Sequence, residues 1–244
     1  MPDRTNFGRV IARIGQMRGL GAIIQPERIR SLLGPRRDVS MKAIPGKLSL
    51  DQKDRIEPKL RYLFDHNVEG RVLQDAKSLK ELFDKSKDQI DYLFKPDAVA
   101  FVRNLGPKLA IDKTFSLKVP DASLSISKDT SPIFLSIRQG FTVYVADTKK
   151  GPIILANGRD EFFEADKGDP DIKLNKKLSS RYGSLLVAPI YMQGADIALG
   201  SVVMLWSKED AIDPADYLIE LRVARRLAGF VAPTLFEQVA RQNI

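Results

Sequence analysis

The stretch from Ser184 to Ser207, SLLVAPIYMQGADIALGSVVMLWS, constrains the fold more than any other part of the chain. Leu185 to Ala188 with Ile190, and Ile197 to Leu199 with Val202 to Trp206, make two nearly continuous apolar runs. Strands that read apolar on both sides are covered on both faces, and β-branched residues suit a buried pleated surface. Pro189, Gly194 and Gly200 fall too close together for a buried helix. The stretch therefore predicts a hairpin turning at Gln193-Gly194. Pro189 has no N–H for a ladder and predicts an edge position or a bulge. Gly200 predicts a bulge or a close backbone approach.

A long helix follows. Asp213 is a good N-cap, Pro214 suits the first helical position, and Asp216 favours the positive helix end. Tyr217, Leu221, Ala224, Ala228, Val231, Leu235 and Val239 recur at steps of four and three, on one helix face. Pro233 predicts a kink or the end of the helix's first half. Earlier in the chain, Ser131-Pro132 opens a short helix ending near Gly140, and Phe141 to Ala146 alternates as a strand.

The run SLLVAPIYMQGADIALGSVVMLW before a long terminal helix, together with SPIFLSIRQGFTVYVAD upstream, resembles the GAF domain family. The resemblance extends from about Val68 to Ala240. It implies an α+β fold with a GAF-like central antiparallel sheet of five or six strands flanked by helices on one face. A small-ligand pocket would lie between the sheet and its covering loops and helices. By resemblance its lining is Phe101 and Arg103 on the first strand, Tyr144 and Asp147 near the middle strand, Arg159 and Phe163 in a loop, and Tyr182 and Ser184 entering the hairpin. Family members often dimerise through helices at the domain ends. The resemblance thus implies a homodimer or larger assembly, with Arg222, Arg225 and Arg226 beside the contact.

Three uses of a GAF pocket can be compared with these residues. Covalent bilin attachment and free methionine sulfoxide reduction both need cysteine, and the chain has none. Cyclic-nucleotide binding carries an Asn-Lys pair followed by Phe and then Asp-Glu. Here Asn175-Lys176 lacks that sequel, and Asp160-Glu161 precedes Phe162.

The formal charge is +8, and residues 1–47 hold ten Lys or Arg against three Asp or Glu, a net +7. Such asymmetry predicts an anionic partner for the N-terminal part. Phe7, Val10, Ile11, Ile14 and Met17 share one face of a helix, with Arg9, Arg13 and Arg18 beside it as partner-binding candidates. That basic helical extension would suit an anionic membrane, a partner's groove, an import receptor, or packing on the chain's own body. Arg36 to Lys47 has Pro45-Gly46 and no apolar period, and is expected to be a linker. The expected division is a basic arm and linker over residues 1–47, a connecting helix over 48–67 and a GAF-like domain over 68–244.

Within the connecting segment, Ser49-Leu50-Asp51-Gln52 predicts a capping box. A second helix is expected over Val68 to Phe94, ended by Lys95-Pro96. Ala98 to Leu105 and Leu109 to Leu117 are expected as strands about a Gly106-Pro107 turn, and Pro152 to Ala156 as a shorter strand. Asn157 to Asp171 is expected as a polar acidic loop, and Ile172 to Tyr182 as a helix.

No phosphate-binding glycine loop occurs after a strand. The loop acids Asp160, Glu161, Glu164, Asp166, Asp169 and Asp171 fail the EF-hand spacing. The single histidine, His66, stands at a helix end. No catalytic residue, metal site or cofactor is therefore expected. The chain reads as a non-enzymatic regulatory or scaffold protein acting through protein contacts, with or without a pocket ligand. The alternative is a transcriptional or nucleic-acid-associated regulator using the basic arm. No apolar run is long enough to span a membrane, and the absence of cysteine fits a cytoplasmic location.

Overall fold

The computed structural model describes residues 41–104, 109–111, 132–149, 151–159, 161–165, 179–191 and 198–242. The expected hairpin forms the centre of the sheet. Strand β7 is Ser184–Tyr191 and strand β8 is Ala198–Trp206, paired antiparallel from Ser184↔Trp206 to Tyr191↔Ala198. Leu199 is the extra residue of a bulge between the Ile190↔Gly200 and Tyr191↔Ala198 pairs, next to the glycine that predicted it. The turn at Gln193-Gly194 lies outside the described residues.

The other strands are β1 (Met41–Ile44), β2 (Ala98–Asn104), β3 (Leu109–Ile111), β4 (Thr142–Val145), β5 (Ile153–Ala156) and β6 (Phe162–Ala165). They join β7 and β8 in one eight-stranded sheet of order β1-β6-β5-β4-β7-β8-β2-β3, with every pair antiparallel. Pro189 lies two residues past Val187, the last residue of β7 paired with β4. Its missing N–H is therefore not required on that side.

The sheet is wider than the five or six strands expected, and both additional strands come from segments expected to be irregular. Met41–Ile44 lies within the supposed linker and pairs with Phe162–Ala165, which lies within the supposed acidic loop. This pairing crosses the division drawn at residue 47.

Helix α1 (Leu50–Phe64) starts as its sequence dictates: the Gln52 N–H donates to Ser49 Oγ at 3.1 Å, and the Ser49 N–H donates to Gln52 Oε1 at 3.0 Å. A π-helical turn over Asp65–Glu69 follows. Helix α2 is Leu79–Phe94, eleven residues shorter than the expected 68–94 helix, because Ser78 caps it by accepting the Glu81 N–H at 3.1 Å. It ends at Lys95, whose φ of 50° is left-handed. Helix α3 is Pro132–Gln139. A 3-10 turn over Pro214–Asp216, capped by Asp213, leads into helix α4 (Tyr217–Gln242), which continues through Pro233.

Helices cover both faces of the sheet rather than one. On one face α1, α2 and α4 pack over Val99, Phe101, Tyr144, Leu186, Val202 and Met204. On the other, Ile133 and Ile137 of α3 pack over Val102, Val143, Val145, Val187 and Val203. The apolar surface of α4 exceeds what one sheet needs because α1 and α2 cover its other side. Ile219, Val223 and Leu227, outside the expected stripe, are buried too.

Candidate functional site

The eight residues expected to line a pocket fall on opposite sides of the sheet. Phe101 is buried against the helical layer, stacked on Phe83 of α2 at 4.2 Å between ring centroids. Tyr144 is fully buried on the same face. Its hydroxyl accepts the Ile212 N–H at 3.1 Å and interacts with the Ser184 side chain. Burial pushes its phenol up, and the interactions with Ile212 and Ser184 only partly offset this. Ser184 Oγ donates to the Lys208 carbonyl at 2.9 Å. These groups tie the start of β7 to the turn before α4. Gly183 is needed beside them, because a Cβ there would stand 2.4 Å from the Glu209 nitrogen.

Phe163 and Tyr182 belong to the α3 face. Phe163 meets Phe141 edge-on at 6.1 Å, and the Tyr182 carbonyl accepts the Thr148 hydroxyl at 2.7 Å. Asp147 and Arg159 are turn residues. Asp147 Oδ1 accepts the Lys149 N–H at 2.7 Å, and the exposed Arg159 donates its N–H to Asn157 Oδ1 at 2.9 Å. Arg103 pairs with Gly200 and Ala110 near the end of β2. The structure therefore brings Tyr144 to Ser184 and places Phe163 with Tyr182 on one face, but does not gather all eight.

Of the residues expected to meet a partner, Arg9, Arg13 and Arg18 lie outside the described residues. Arg222 faces its own chain: Nη2 donates to the Gly46 carbonyl at 2.8 Å, and its guanidinium lies 4.9 Å from the centre of the Phe162 ring. Arg225 Nη1 donates to the Ala156 carbonyl at 3.5 Å. Only Arg226 of the three is exposed.

The α3 face holds two polar groups that sequence reasoning missed. Ser136 on α3 and Ser201 on β8 are fully buried, and among the described residues their hydroxyls have no hydrogen-bond partner. Ser201 shares the α3 face with Val203 by strand alternation. Buried hydroxyls are ordinarily satisfied, so this face has unused donors and acceptors within an apolar setting. The single histidine, His66, is not beside them: it follows α1 in the other layer, with Nδ1 2.9 Å from the Tyr62 carbonyl. Among the described residues, no group of three or more His, Asp or Glu is placed to hold a metal ion. No helix among them is long and apolar enough to cross a membrane.

The fold has known counterparts. The free methionine-R-sulfoxide reductase of Neisseria meningitidis, solved in complex with its substrate, superposes with a TM-score of 0.52 at 16% identity, over 82% of this chain and 99% of the reductase. The phycoerythrobilin-bound GAF domain of a cyanobacterial phytochrome gives 0.47 at 17% identity, covering 78% of this chain and 99% of that domain. The GAF domain of an Acinetobacter phosphoenolpyruvate-protein phosphotransferase gives 0.43 at 14% identity, covering 81% of this chain and 100% of that domain. No family model matches the sequence, and no curated protein matches it.

Proposed function

We propose that this chain is a non-enzymatic regulatory module of GAF-like build, acting through protein contacts and holding a small polar ligand on the α3 face of its sheet. The observation that carries the reading is the pair of unpartnered, fully buried hydroxyls of Ser136 and Ser201. Such groups gain most when a bound molecule satisfies them. Phe163 and Tyr182 supply aromatic surface on the same face. The chain has no cysteine, so it lacks the thiol that the reductase and bilin uses of such a fold require.

The same reading makes the protein a cytoplasmic homodimer or subunit of a larger assembly, with residues 1–40 as an arm separate from a body that begins at β1. Native mass spectrometry of the full chain tests both parts. The expected result is a dimer or larger species carrying a small molecule that is lost in Ser136→Ala/Ser201→Ala. Bare monomer in both proteins, across the concentration range, would remove the proposal.

A further inference from the structure

The helical layer carries a surface that this reading does not use. Tyr62 of α1 stacks on Tyr92 of α2 with ring centroids 4.3 Å apart, and the His66 ring lies 4.0 Å from that of Tyr62. Tyr92 is 63% exposed, which leaves this aromatic platform open to solvent. Beside it runs a groove of about 410 Å³, lined by Asp54, Pro58, Tyr62, Asp65, His66 and the Glu57–Arg61 pair.

The charges around this platform are unlike those on the rest of the two helices. On α1, Asp51 pairs with Arg55 and Glu57 with Arg61. On α2, Glu81 pairs with Lys85, Asp84 with Lys80 and Asp91 with Lys87. Among the described residues, the two carboxylates of these helices without an ion-pair partner are Asp54 and Asp88. Asp54 lines the groove, and Asp88 acts on the Tyr62 phenol, which burial and Tyr92 also push up. Unpaired negative charge on these helices thus coincides with an exposed aromatic stack.

We propose that this surface receives the arginine-rich segment of the same chain, residues 1–40. Those residues contain eight arginines and no lysine. A guanidinium can lie flat on an aromatic ring while its edge pairs with a carboxylate, and an ammonium cannot do both. Forty extended residues span about 130–140 Å at most, ample to bring the segment from Met41 on the sheet edge to α1 and α2. A nucleic acid is the wrong occupant for this surface, because its phosphates would meet Asp54, Asp65 and Asp88.

Limited trypsin digestion of the full chain, followed by mass spectrometry, tests the docking, since each arginine of residues 1–40 is a cleavage site. At low salt, Asp54→Asn/Asp88→Asn should be cut in that segment about 5–30-fold faster than the native chain, the change expected for the loss of a modest contact energy. Both substituted positions are exposed, so the melting temperature should hold. High salt should raise the native rate toward that of the variant. Tyr92→Ala should give the same acceleration by removing the platform. Equal cleavage rates in native and variant chains would overturn the proposal. Protection that vanishes on dilution would assign the occupant to a second copy and overturn docking within one chain.

Discussion

Asn67 and Gln89 exchange their side-chain amides. Asn67 Nδ2–H donates to Gln89 Oε1 at 2.8 Å, and Gln89 Nε2–H donates to Asn67 Oδ1 at 3.0 Å, with both side chains buried. Asn67 Nδ2 also donates to the Leu63 carbonyl at 3.0 Å. The pair joins the π-helical turn after α1 to the middle of α2, where both side chains are shut off from solvent. Asn67→Leu or Gln89→Leu should each destabilise by about 1–3 kcal/mol, because the remaining amide is left buried and unmet. The double substitution should cost less than the sum of the two. Urea denaturation of the four proteins measures the coupling.

Glu220 of α4 is buried and pairs with Lys59 of α1. Burial raises its carboxyl pKa, the Lys59 bond lowers it in part, and Asp216 raises it again. The folded chain therefore holds this proton more tightly than the unfolded chain. Above the ordinary carboxylate range the unfolded state binds fewer protons at this site, so its contribution to stability falls as pH rises through the folded pKa. Glu220→Gln should flatten that part of the stability–pH profile in thermal melts from pH 4 to 8. An unchanged slope would contradict the assignment.

Val203 sits on β8 between Val187 and Ala100, with no exposed surface. Val203→Asp would bury a charge without a partner, at a cost of several kcal/mol, comparable with the whole stability of a domain. The expected outcome is insoluble or non-cooperatively melting protein. A soluble variant with a sharp transition would refute this placement.

Removal of the N-terminal part should depend sharply on where the cut is made. Deleting residues 1–40 leaves β1 in place and should change the melting temperature little. Deleting 1–47 also removes β1, and with it the Gly46 carbonyl that accepts the Arg222 bond. The longer deletion should lower the melting temperature measurably. Equal melting temperatures would show that β1 contributes nothing to the body.

The parts of this fold that can be read from sequence are those whose local chemistry is redundant. The hairpin has two long apolar runs punctuated by Pro189 and Gly200, and the start of α1 has a complete reciprocal cap. The missed strands lack such redundancy. Met41–Ile44 contains Lys42 and only four residues, and Phe162–Ala165 is embedded among acids, so their pairing depends on each other and on β5. The spacing predicts a helix back to Val68 because Val72 and Ala76 continue it, while Ser78 acts as the stop. The site was harder still. Tyr144 stands between Val143 and Val145, all buried, so no alternation of polarity distinguishes the two faces of β4. Ser136 and Ser201 give no signal in sequence, since a serine is informative only once its surroundings prove dry and unbonded.

The order of the strands also bears on the solubility of the chain. Among the described residues its margins are β1, with four residues, and β3, with three, while the two longest strands, β7 and β8, lie inside. An open margin of a sheet is a template for another chain, and its hazard grows with the length of unpaired backbone it offers. By keeping its most apolar hairpin flanked on both sides and ending in short segments, one of them bearing Lys42, the described sheet offers little backbone for another chain to add a strand edge to edge.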